Sequence, residues 1–315
     1  MIKCYKLEQG HVVEATDGSD QIMHVVQPDD AEKAMLIGKF QIDEHNLNSS
    51  LDPDEMPRME LEETHIVVIF KHPKSYSAKD NLLFRIDSVG IFLYSDRIII
   101  VSPPDMTLFG GRAFHKVQNL QMVFLRILSL CINHFLSHLQ VINQISNELE
   151  TKIVKSMENK SLLQMFAIEK SLVYYVNAIS SNVRVIERLK ANAKNNQTGG
   201  LTAEMLEYVD DLSIENAQCL DQAQVYSNVF TGLMDARASF VSNNLNIHMK
   251  RLTVFSVVFM PLNILAGIGG MSEFSMMTHG VWWVYSYIGF TVFLCIVGIF
   301  TFYLLKYLEN KEFGG

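Results

Sequence analysis

Charge is absent from two long stretches of this chain: residues 252–271 and 281–305 contain no Asp, Glu, Lys or Arg. An apolar run of about twenty residues is what a helix needs to cross the roughly 30 Å hydrocarbon core of a bilayer. These stretches therefore exclude a wholly soluble protein and imply a C-terminal membrane hairpin. Lys and Arg are also missing from the loop between them, 272–280, whereas Lys250 and Arg251 precede the first span and Lys306 and Lys311 follow the second. By the positive-inside rule both termini are expected in the cytoplasm and the loop outside. Glu273 is the only fully charged side chain of that loop.

Other absences exclude further classes. The cysteines, Cys4, Cys131, Cys219 and Cys295, fall in different segments with no CxxC spacing, which excludes a zinc ribbon or a disulfide framework and suits a reducing compartment. The net charge is -8, and no Lys/Arg-rich face is interleaved with aromatics, so no nucleic-acid partner is expected. No basic n-region with a cleavage site opens the chain, and no signal peptide is expected. No nucleophile-and-base pair, phosphate-binding loop or paired catalytic carboxylate appears, so the chain does not read as an enzyme, and no cofactor is implied.

What is present falls into parts. Residues 1–112 read as an α/β domain: a short helix opens at Pro28-Asp29 and runs through Gly38, and the runs 65–70, 82–86, 89–94 and 97–101 read as strands. A helical hairpin is expected over 113–198, ended by the polar loop that contains Asn195, Asn196, Gly199 and Gly200. From Leu201 to Met260 there is no proline and one glycine, Gly232. One unbroken helix is expected there, a stalk over 199–251 that continues into a first span over 252–271; the loop 272–280, a second span over 281–305 and a tail over 306–315 follow. Met249, Leu252, Ser256, Met260, Asn263 and Gly267 recur at steps of three or four and share one face of that helix. Small, polar and flexible residues on one side of a span do not make a lipid-facing surface, and the Asn263 amide must find a partner or line water. Periodicity alone leaves two readings open, packing against the second span or lining a pore.

Several motifs carry a resemblance. Ser242-Asn-Asn-Leu-Asn-Ile-His-Met-Lys-Arg-Leu-Thr253, then Phe259-Met-Pro-Leu-Asn-Ile-Leu-Ala-Gly267 and Gly270-Met271-Ser272, resemble the stalk and first transmembrane helix of the CorA divalent-cation channels. Gly232-Leu-Met-Asp235 falls in register, and Leu51-Asp-Pro-Asp-Glu-Met-Pro57-Arg58-Met-Glu60 resembles the family's acidic turn. The resemblance implies an α+β membrane protein forming a funnel-shaped homopentamer in the inner membrane, with the first-span helices around a pore and divalent cations as transported or regulatory ions. It implies Met249 and Leu252 as a hydrophobic constriction, Met260 as a second one, Asn263 along the pore and Gly267 near its outer end.

The departures from the family pattern shape the expectation. The resemblance places Gly270, Met271 and Ser272 at the selectivity mouth, where the family signature is Gly-Met-Asn; a Ser hydroxyl is shorter than an Asn amide, so a wider, less selective mouth is expected, with Glu273 as a possible carboxylate ring or a solvated loop acid. Gly269 stands where an aromatic residue usually precedes the signature. The family's regulatory acids on the stalk match Asp211 and Asp235, but Asn48 and Ser49 stand where the domain acids should be, so weak metal feedback is expected. Asp52 and Asp54 could substitute by a small shift or simply decorate an exposed turn. His134 and His138, spaced i, i+4, are either satisfied surface histidines or two ligands for Zn²⁺. The expectation is a passive divalent-cation channel with altered selectivity; the alternatives are a non-conducting sensor or scaffold of the same fold, and a zinc transporter of the same fold.

Overall fold

In the computed structural model the described residues are all except 16–19, 77–81, 104–105, 107, 110–113, 115, 156–158, 195–201, 273–275, 277–278, 281 and 314–315, together with the side chains of 150–161, 194 and 308–313. The chain divides into two compact units, Met1–Met234 and Asp235–Gly315.

The first unit is built on one seven-stranded sheet in the order β2-β1-β3-β7-β6-β5-β4. Its strands are β1 (Ile2–Glu8), β2 (His11–Glu14), β3 (Ile22–Val26), β4 (Arg58–Leu61), β5 (His65–Pro73), β6 (Ile86–Tyr94) and β7 (Ile98–Ser102). Every pairing is antiparallel except β3 with β7. The central strands are apolar on both faces, and their side chains alternate between two cores as a period of two requires. Ile98, Ile100, Val68 and Phe70 enter the larger core with helices α3 (Leu120–Lys155) and α4 (Asn159–Lys194). Ile99, Val101, Val67 and Ile69 enter the smaller core with α1 (Asp30–Phe40) and α2 (Glu44–Ser49).

Local signals explain several boundaries. Asp29 and Glu32 form a reciprocal capping box at the start of α1. Gly38 does not end that helix as expected; it closes two residues later, with Gln41 in the left-handed region at φ 57°. The strand expected at 82–86 does not form: Leu82 has φ 66°, and the Phe84 amide donates to Ser171 Oγ on α4 at 2.9 Å instead of joining a ladder. Only Ile86 is in a strand, as the first residue of β6. Strands β1 to β4 were not anticipated by the periodicity.

Helix α5 spans Ala203–Gly269, 67 residues, with Thr202 Oγ1 accepting from Met205 N at its start. At 1.5 Å per residue it is about 100 Å long. Pro261 lies inside it without ending it; proline costs one backbone bond, which a membrane-buried helix tolerates. Helix α6 covers Trp283–Phe313. Among the described residues three helices are long and apolar enough to cross a membrane, α3 among them, but 61% of the most apolar stretch of α3 is buried, against 6% in α5 and 0% in α6. The apolar side chains of α3 are spent on the core of its own unit, as are those of the first half of α5, such as Val209, Leu212 and Phe230, whereas the most apolar stretches of α5 and α6 have no such core.

Candidate ion pathway

In the second unit, α5 and α6 pack as an antiparallel pair. A β-carbon at Gly298 would stand 3.3 Å from Leu262 Cδ1, and one at Gly269 would stand 2.5 Å from the ring of Phe290. Seven residues up one helix thus answer eight down the other. Small residues let helix backbones approach closely where lipid gives no hydrophobic drive to pack. Over residues 252–269 of α5 the residues covered to some degree are Val254, Val258, Pro261, Leu262, Leu265 and Gly269. They lie at helical spacing on one face, and it is not the face carrying Met249, Leu252, Ser256, Met260, Asn263 and Gly267. All six of the latter are exposed, Leu252 at 71%. Within the chain, this face does not pack against the second span.

A shallow groove of about 570 Å³ runs along the exposed face, lined by Leu252, Phe255, Ser256, Val257, Phe259, Met260 and Asn263. Ser256 Oγ donates to Leu252 O at 3.0 Å, so the hydroxyl proton is used inside the helix and its lone pairs point outward as acceptors. The helix closes just beyond, where the Gly270 amide donates to Ala266 O and Gly267 O and the Met271 amide to Ile268 O. Met271 and Ser272 are exposed there. Glu273 lies outside the described residues. At the start of the second span Trp282, Trp283 and Tyr285 are all about two-thirds exposed, as aromatic residues at a membrane interface are.

The candidate regulatory residues are placed as follows. Asp211 and Asp235 are both exposed on α5. Glu215, one turn beyond Asp211, went unnoticed in the sequence; burial first, and then the Asp211 charge, raise its carboxyl above the ordinary value. Asn48 is exposed, but Ser49 is buried under Arg58, whose Nη2 donates to Ser49 Oγ at 3.0 Å and to Asn46 Oδ1 at 2.7 Å. The same guanidinium pairs with Glu55 at 2.6 Å and Glu60 at 2.9 Å. The turn holding Asp52 and Asp54 sits over Lys71, whose Nζ donates to Pro53 O and to Ser88 Oγ. A buried ammonium beneath these two carboxylates already answers their charge, which counts against a second cation there. Among the described residues no group of three or more His, Cys, Asp and Glu side chains is placed to hold a metal ion.

The sequence model of one protein family, described as CorA-like Mg2+ transporter protein, matches residues 21–306. The chain belongs to that family. It is 26% identical over 260 residues to the cobalt/magnesium transport protein CorA of Methanocaldococcus jannaschii, covering 78% of this chain and 77% of that one. The complete structure of the CorA magnesium transporter from the same organism aligns with a TM-score of 0.71 at 19% identity, over 97% of this chain and 96% of that chain. The cytoplasmic domain of ZntB from Vibrio parahaemolyticus aligns with a TM-score of 0.58 at 11% identity, over 76% of this chain and 98% of that chain. At these identities the two structures show a shared fold.

In this CorA-like membrane protein, of the two histidines at i, i+4, His138 is buried and His134 half-buried. His138 is 8% exposed, and its Nδ1 lies 2.7 Å from the Tyr175 hydroxyl of α4. His134 stacks edge-on between His138, at 4.5 Å between ring centroids, and His72 of β5, at 5.3 Å. Burial first, with the neighbouring His134 contributing, pushes His138 down to about 4 and His72 down to about 3, and burial lowers His134 as well. All three rings are therefore neutral at physiological pH, and they serve as packing between β5, α3 and α4.

Proposed function

We propose that the chain is a homopentameric divalent-cation channel of the inner membrane, with α5 helices around the axis, α6 helices outside them and both termini in the cytoplasm. The observation that carries this is the exposed polar and small-residue face of α5. A lone hairpin would leave Ser256 and the Asn263 amide in hydrocarbon, whereas a closed ring turns them toward a shared water-filled axis. Family membership supports a divalent cation as the cargo, with Mg²⁺, Co²⁺, Ni²⁺ and Zn²⁺ as the candidates.

In this reading Met249 and Leu252 form an apolar constriction that closes by dewetting, Met260 forms a second, and Asn263 and Gly267 line the outer half. Gly270, Met271, Ser272 and Glu273 form the mouth, less selective than an amide ring. The membrane potential suffices as driver, since two charges moved through 100 mV are worth about 4.6 kcal/mol. Metal feedback is weak, because the partners that the family resemblance assigns to Asp211 and Asp235 are here Asn48 and a Ser49 already bound to Arg58.

The test is native mass in detergent together with flux into liposomes for Mg²⁺, Co²⁺, Ni²⁺ and Zn²⁺. A ring that conducts at least one of them supports the reading; a stable monomer overturns it, and an assembled ring with no flux for any cation turns the protein into a sensor or scaffold of the same fold.

A further inference from the structure

Gly269 is the one buried residue between Ala266 and Ser272. A β-carbon there would stand 2.5 Å from both Cε1 and Cζ of Phe290, far inside the 3.5–4.0 Å separation at which carbon atoms pack. Gly269 is not among the residues with positive φ, so the glycine answers a need for space. The edge of the Phe290 ring occupies the volume that a side chain at position 269 would fill. It presses on the last turn of α5, next to the amides of Gly270 and Met271 that bond back to Ala266, Gly267 and Ile268. Nothing else in that turn is covered.

We propose that Phe290 of α6 is a positioning residue for cation selection: its ring, seated on Gly269, sets where the pore helix ends and hence how far Ser272 stands from the axis. The proposal rests on the reading of α5 as the pore helix. Ring and glycine form a matched pair. Removing the ring frees the last turn of α5 to move, and adding bulk at 269 drives the ring away, so either change shifts the mouth without touching a residue that meets the ion.

Phe290→Ala, Gly269→Ala and the swap Gly269→Phe with Phe290→Ala are compared in liposomes by competition of Mg²⁺ against Co²⁺, at equal oligomer content. Each single variant should change the Mg²⁺ to Co²⁺ ratio by roughly tenfold, as displaced coordinating groups do, and the swap should return it toward the natural value. A role in stability alone would lower the amount of assembled ring and leave that ratio unmoved. Independently of conduction, Ser272→Cys is labelled with a membrane-impermeant maleimide with and without Phe290→Ala; a several-fold change in rate is expected. If Phe290→Ala does not assemble, Phe290→Leu takes its place in both measurements. Assembled single variants with the natural Mg²⁺ to Co²⁺ ratio and an unchanged labelling rate overturn the proposal. Absence of flux in the natural protein overturns the channel reading instead, and the labelling comparison then decides the role of Phe290 by itself.

Discussion

Arg58 holds Ser49: the guanidinium Nη2 donates to Ser49 Oγ at 3.0 Å while its other nitrogens are paired with Glu55 and Glu60. Ser49→Asp would place a buried carboxylate against an existing cation, and the pair would neutralise itself. Millimolar Mg²⁺ should therefore leave protease resistance of the Ser49→Asp protein as little changed as that of the natural one. Strong Mg²⁺ protection in the natural protein, abolished by Asp235→Ala, is the result that contradicts a weakened sensor.

Leu252 is 71% exposed in the single chain, and the proposed channel places it in the apolar constriction. Dewetting needs apolar walls, so Leu252→Ser should hydrate the constriction and raise basal leak several-fold in liposome flux. An assembled Leu252→Ser ring with natural flux would move the gate elsewhere on α5.

Ser272→Asn should sharpen the preference for Mg²⁺ over larger or softer divalent ions, because an amide offers a longer reach and a stronger dipole than a hydroxyl. Glu273→Gln should lower uptake of all divalent ions, and the difference should shrink with added salt, since an exposed charge is screened within about 8 Å at physiological ionic strength. Competition flux reads both. An indifferent Glu273→Gln returns that residue to the role of a solvated loop acid, and an indifferent Ser272→Asn moves discrimination to Asn263.

Acid should destabilise the first unit through its buried histidines. His24 and His138 are pushed down to about 4 and His72 to about 3, in each case by burial first, against an ordinary value of 6.5. Their folded values are depressed, so the unfolded chain binds these protons first. The stability tied to the neutral rings is whole above pH 6.5 and is lost as pH falls from 6.5 to about 4 for His24 and His138 and to about 3 for His72, at a slope approaching 1.4 kcal/mol per pH unit for each histidine. Denaturant unfolding of the full chain at a series of pH values should show this decline, shallower in His72→Phe. An equal slope in that variant would mean His72 is protonated in the fold.

The membrane hairpin, the long α5, its special face and the family were legible in the sequence because each rests on a repeating signal or a distinctive run: uncharged length, a spacing of three or four, and the Phe259 to Gly267 motif. The α/β domain was legible only where strands were strongly apolar. Strands β2 and β4, the two edges of the sheet, and β1 beside β2 carry little periodic signal, and the run 82–86 reads as a strand although the Phe84 amide is taken by Ser171.

Sequence alone determined which residues lie on one side of α5, since helical spacing is a property of the chain. Tertiary structure decided which side meets α6, because that depends on where Gly269 and Gly298 let another helix approach. It also decided that Ser49 is claimed by Arg58 and that His138 is buried against Tyr175. Those partners are 9 and 37 residues away in sequence, and only folding brings them into contact.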